Sequence, residues 1–171
     1  MHSPVPLVIA KILAEKALSR VAWARFNFRG VGASTGSYDN GRGEVEDALA
    51  ILARMRAANP TAPVTLCGHS FGSAVALRAA AADGKVDRLL LISPSARLFD
   101  GSGAIEKVSA ITTIFIGERD ELCDVDDARQ LARELDADLR VFEGHDHHFL
   151  KSRRALAEAA LPVIAPEVDR P

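Results

Sequence analysis

Five short apolar runs, alternating along the chain with longer stretches of helical period, constrain this sequence more than any other feature. The runs are Val21 to Phe28, Val64 to Cys67, Arg88 to Ile92, Ile111 to Ile116 and Leu139 to Phe142. The helical stretches are Leu7 to Ser19, Glu44 to Ala58, Gly72 to Ala82, Val125 to Leu135 and Leu150 to Leu161. In the second of these, Val45, Leu49, Leu52 and Met55 recur at spacings of three and four, and Asn59-Pro60 ends the pattern. Glu44, Glu46 and Asp47 fall in its first turn, where the helix dipole favours anions. Short apolar strands are buried on both faces, and parallel neighbours need the crossovers that the helices provide. The pattern predicts an α/β fold, a mostly parallel sheet with helices on both faces.

Composition narrows the class further. With 171 residues and 48% apolar content, the chain has the length of one domain and the material for a core, which excludes disorder. No internal repeat or linker-like tract divides it, and Gly101-Ser102-Gly103 reads as a loop tip, so residues 1–171 are expected to form a single domain. The formal charge is −2, and no Lys/Arg cluster is dense enough to track a phosphate backbone. Nucleic acid is therefore not an expected partner. The apolar run from Pro4 to Ala10, closed by Lys11, is far shorter than the roughly 20 residues that span a bilayer. It has neither a basic lead nor a cleavage site of the secretory kind, so a cytoplasmic protein with no membrane contact is expected. Cys67 and Cys123 lack a CxxC partner, and Cys67, in an apolar run, is expected to be buried, reduced and inert.

In an open parallel sheet, function collects in the loops after the strands. After Val64 to Cys67 comes Gly68-His69-Ser70-Phe71-Gly72, then a helix rich in small residues. This is G-x-S-x-G between a strand and a helix, the arrangement that exposes a serine hydroxyl on a strained turn. Side chains at 68 and 72 are both expected to collide with their surroundings. The blander reading makes Ser70 a helix N-cap between two turn glycines. A serine becomes nucleophilic when a base takes its proton and a third group orients that base. Later loops offer both kinds of residue: Gly117-Glu118-Arg119-Asp120 after Ile111 to Ile116, and Glu143 to Phe149, with three histidines, after Leu139 to Phe142. Asp124 rivals Asp120 as the orienting carboxylate, although it stands where a cap for the next helix is needed. Spacing alone does not separate His145, His147 and His148. His145, Asp146, His147 and His148 could also be read as metal ligands, but adjacent residues on one loop point in different directions.

Together these segments resemble the α/β-hydrolase superfamily, and within it a small, lidless bacterial serine hydrolase branch. The likeness rests on Arg25 to Ser34, Gly43 to Asp47, the turn Gly68 to Gly72, Gly117-x-x-Asp120 and Gly144-x-Asp146-His147. It implies an α/β-hydrolase-like sheet with Ser70 as nucleophile, Asp120 as orienting carboxylate and His147 as general base. The backbone N–H of Phe71 would be one oxyanion donor. No cofactor and no metal are implied. The expected reaction is cleavage of small ester-like acyl bonds through an acyl-enzyme, on a small-molecule substrate. Two other readings stand beside it: a non-catalytic scaffold with the same fold, and a metal-dependent hydrolase. His69 is expected to shape the flank of the serine turn, and Arg29 to support the loop after its strand.

The resemblance breaks at the N-terminus. In relatives, a strand ending in a His-Pro or glycine-rich loop precedes the first helix, lies between this chain's first two strands and provides a second oxyanion N–H. Here Met1 to Pro6 leads almost directly into the helix Leu7 to Ser19, so the first strands of the fold are expected to be missing. Three accounts are open: a true start upstream, which is preferred, direct closure of the two flanking strands, or another chain in the gap. A homodimer is left open as an assembly. Between Arg88 to Ile92 and Ile111 to Ile116 only Ser93 to Ala110 intervenes, so no lid domain is expected and the site should be shallow.

Overall fold

A computed structural model of the chain describes residues 3–16, 20–95, 108–166 and 168. In chain order its elements are α1 (Pro4–Lys16), α2 (Arg42–Ala58), β1 (Thr65–His69), α3 (Phe71–Asp83), β2 (Arg88–Ile92), β3 (Ile111–Gly117), α4 (Val125–Leu135), β4 (Asp138–Phe142) and α5 (Arg153–Ile164). The four strands of the described residues form one parallel sheet in the order β1-β2-β3-β4. Thr65 pairs with Arg88, Arg88 with Ile111, and Thr113 with Asp138. This near-flush register brings the carboxyl ends of all four strands to one edge.

The central strands carry the core on both faces. Leu90 and Ile92 of β2 and Phe115 of β3 join α1 and α5 in one buried cluster. Leu89 and Leu91 of β2, with Ile114 and Ile116 of β3, join α2, α3 and α4 in the other. The two-residue alternation of the strands assigns successive side chains to opposite layers.

Helix boundaries follow local chemistry. Asp124 caps α4 by accepting from the N–H of Asp126 at 2.7 Å, and Asp126 and Asp127 occupy its first turn. Glu44, fully buried, reaches back to the N–H of Gly41 at 2.8 Å and of Asp39 at 3.0 Å, fixing the entry to α2. Helix α1 begins at Pro4, ahead of the predicted Leu7, because prolines are tolerated in a first turn and the hydroxyl of Ser3 accepts the N–H of Val5. The end predicted for α1, Ala17 to Ser19, lies outside the described residues, as does most of the loop expected to be too short for a lid.

Two expectations are corrected. Val21 to Phe28 is not a strand: it runs without ladder pairing and its residues from Ala22 to Asn27 are exposed. A strand exists only through its neighbours' hydrogen bonds, and among the described residues no strand lies beside this segment. Nor does the segment close up against β1, which pairs on one side only, with β2. Between them lies a cleft of about 1540 Å³, lined on one side by Val21 to Val31 and on the other by β1. Cys67, the second correction, is exposed. It belongs to the edge strand β1, whose other side has no ladder partner among the described residues.

Arg29 keeps its predicted supporting role. Its guanidinium grips Asp47 at 2.8 and 3.1 Å and Glu46 at 3.1 Å, and its own N–H reaches Asp47 at 2.9 Å, tying the end of the unpaired segment to α2.

Candidate active site

Ser70 occupies the turn from β1 into α3 with φ 54° and ψ −122°. A positive φ in a non-glycine residue is strained, at a cost on the order of 1–3 kcal/mol, and persists only where the surroundings impose it. They do so here. The N–H of Ser70 donates to Ile92 of β2 at 2.9 Å, and the hydroxyl of Ser73 bridges the carbonyls of Gly68 and Ile92, each at 2.9 Å. A Cβ on Gly68 would lie 2.1 Å from the carbonyl oxygen of Gly72, so only glycine lets strand and helix approach this closely. Gly72 behaves otherwise: a Cβ there meets nothing within 4 Å, against the expectation that both glycines relieve a collision. Gly72 lines the cleft, and the space beside it is open.

Ser70 stands at the N-cap position of α3, yet its side chain makes no capping hydrogen bond. The hydroxyl is thus not committed to the helix, as the blander reading requires.

The two later loops meet at a second close approach, where a Cβ on Gly117 would lie 2.3 Å from the carbonyl oxygen of His145. This brings Asp120 under His147. The Nδ1 of His147 lies 2.8 and 3.0 Å from the two carboxylate oxygens of Asp120, and neither side chain is more than 1% exposed. Burial alone would raise the Asp120 carboxyl, but hydrogen bonds from His147 and from the N–H of Leu122 hold it below the ordinary carboxylate range. The N–H of Cys123 adds another, at 3.0 Å.

The rivals go elsewhere. Asp124 caps α4. His145 is turned to the carbonyl of Glu143 at 3.0 Å. His148 packs edge-on against His147, with ring centroids 5.1 Å apart. The four adjacent residues weighed as metal ligands do not converge as a set. His147 and His148 group with His69, which no local spacing could have indicated, with ligand atoms within 4.8 Å of one another. In that trio both ring nitrogens of His69 and the Nδ1 of His147 are already in hydrogen bonds.

Ser70, Phe71 and His147 all line the cleft beside β1. No hydrogen bond joins the hydroxyl of Ser70 to His147 among the described residues; such contacts often tighten only when substrate is bound. Cys123 also lies close, its thiol 3.8 Å from the Nδ1 of His147 and 3.1 Å from the carbonyl of Ser93. Burial and the neighbouring Asp120 push that thiol up to about 12, so it stays protonated and is no rival nucleophile.

A parallel sheet with this turn at the end of one strand and a carboxylate–imidazole pair on the next loops is the architecture of an α/β-hydrolase. The family model described as "Hydrolase_4: Serine aminopeptidase, S33" matches residues 9–110, and the chain belongs to that family. It is similar to XC6422 of Xanthomonas campestris, described as an a/b serine hydrolase without lid, with 31% identity and a TM-score of 0.83 over 100% of this chain and 77% of that one. An alpha-beta serine hydrolase homologue from Coxiella burnetii aligns at 30% identity and a TM-score of 0.82, covering 96% of this chain and 78% of its own. The uncharacterized protein RP471 of Rickettsia prowazekii is 34% identical over 160 residues, 87% of this chain. The chain spans 66% of that relative, just under two thirds of its length. No helix of the described residues is long and apolar enough to cross a membrane.

Two outcomes test this geometry. Gly68→Ala should destabilise the fold by several kcal/mol, whereas Gly72→Ala should be neutral or stabilising by about 0.5 kcal/mol, as alanine is in a helix; equal losses in urea unfolding would contradict the packing described. Because the carboxyl of Asp120 is depressed in the fold, its contribution to stability is present above about pH 4, the range of an unfolded Asp, and lost as pH falls through its lower folded value. The stability gap between the wild type and Asp120→Asn should therefore shrink on acidification, and a gap independent of pH would contradict the pairing.

Proposed function

We propose that this hydrolase-family chain is a serine hydrolase that cleaves small ester-like acyl bonds through an acyl-enzyme. The observation that carries the reading is the buried Asp120–His147 pair, which opens onto the cleft that also holds the Ser70 turn. Asp120 accepts from Nδ1 of His147 and so leaves Nε2 as the basic nitrogen. In the first step Nε2 takes the proton of the Ser70 hydroxyl as Oγ attacks the carbonyl carbon. The bond to the leaving alcohol then breaks, and the alcohol departs with the proton held by His147. Water, activated by the same nitrogen, adds to the acyl-enzyme and releases the acid and the free serine.

The N–H of Phe71, at the start of α3, is suited to receive the negative charge that develops on the carbonyl oxygen. A donor of this kind is worth about 3 to 4 kcal/mol of transition-state stabilisation. Phe71 follows Ser70 at the start of α3 and lines the same cleft, which supports that role.

A fluorophosphonate probe tests the assignment. Labelling of the wild type and not of Ser70→Ala supports it, whereas an unlabelled folded wild type favours the non-catalytic scaffold. A chain with too few residues between β2 and β3 for a lid domain suits small acyl groups. Acetyl and butyryl esters should be turned over faster than long-chain esters, and the reverse order in a chain-length series would contradict that substrate class.

A further inference from the structure

His69, between the turn glycine and the nucleophile candidate, is buried, and the catalytic scheme above does not use it. Its Nε2 lies 2.9 Å from the backbone carbonyl of His147, and its Nδ1 lies 3.0 Å from the hydroxyl of Ser3 at the start of α1. A carbonyl only accepts, so Nε2 carries the proton. Burial pushes the imidazole down to about 4, keeping it neutral, so Nδ1 is an acceptor and the hydroxyl of Ser3 donates to it. The carbonyl fixes the tautomer, and the Ser3 hydroxyl satisfies the acceptor that it leaves.

The importance of this bond lies in what it joins. His147 is held from one side by Asp120 on its imidazole and by Glu121, whose carboxylate accepts the His147 N–H at 3.3 Å. Both of those residues belong to the loop after β3. Among the described residues, the bond from His69 is the one hydrogen bond between the loop carrying His147 and the turn carrying Ser70. The rings of His69 and His147 also pack, with centroids 4.9 Å apart.

We infer that His69 is a positioning residue, whose Nε2–H holds the His147 backbone against the turn that carries Ser70, with the Ser3 hydroxyl satisfying the Nδ1 acceptor that this tautomer leaves. The inference rests on Ser70 and His147 being nucleophile and base. Displacing a base by about 1 Å costs on the order of 100-fold in rate while leaving substrate binding intact.

The test is the kinetics of fluorophosphonate labelling in three variants. In His69→Gln the amide can still donate near the position of Nε2, whereas in His69→Asn it reaches only the position of Nδ1, and His69→Leu donates nothing. The expected result is that kinact stays within about threefold of wild type for Gln and falls about 100-fold for Asn and Leu, with KI unchanged. Should the Leu variant not fold, the comparison of Gln with Asn decides. Equal rates for those two, or loss through KI, would overturn the positioning role. The tautomer is read separately, without activity, from the nitrogen chemical shifts of the imidazoles. If the wild type is unlabelled but His69 carries its proton on Nε2, the hydrolase reading fails and the hold on His147 stands. A proton on Nδ1 overturns the inference whatever the labelling.

Discussion

Parallel pairing of four strands in near-flush register is the constraint on which the rest of the molecule depends. All four strands pair in parallel, with α3 crossing from β1 to β2 and α4 from β3 to β4, so each strand ends at the same edge and each following loop starts there. The serine turn, the carboxylate loop and the histidine loop are distant in sequence, yet they are neighbours because β1, β3 and β4 lie in one sheet. Fixing this register are the fully buried residues of β2 and β3, which contribute to both core layers at once. A slip of one residue would exchange those layers.

On that frame the loops are locked by close backbone approaches. Gly68 lets the serine turn fold onto α3, and Gly117 lets the histidine loop lie across the end of β3. Hydrogen bonds then finish the arrangement: Asp120 and Glu121 hold His147 from one loop, and His69 holds it from the other. The strain at Ser70 is sustained by bonds to β2, the strand next to its own.

Much of this was legible in the chain. The periodicity placed β2 and α4 at their observed bounds and the other paired strands within two residues, because apolar runs and caps such as Asp124 are local signals. The capping role of Asp124 was legible as well, since a cap position can be read from the helix that follows it. Val21 to Phe28 shows the limit. Its apolar and aromatic composition is that of a strand, but strand formation needs a partner, and the sequence of a segment says nothing about whether its neighbour is there. Cys67 was misjudged for the same reason: its burial depends on what lies beside β1. Gly72 likewise needs no relief from any contact in the described structure.

What the sequence determined by itself was the class of fold and the three loops that carry reactive side chains, because period, glycine punctuation and capping are properties of short stretches. Tertiary structure alone decided which of three adjacent histidines faces the carboxylate, that His69 spans the gap between two loops, and that the edge of β1 opens onto a cleft. Each of those depends on groups tens of residues apart in the chain meeting in space. No local pattern encodes such a meeting; the register of the sheet and the packing of its two layers do.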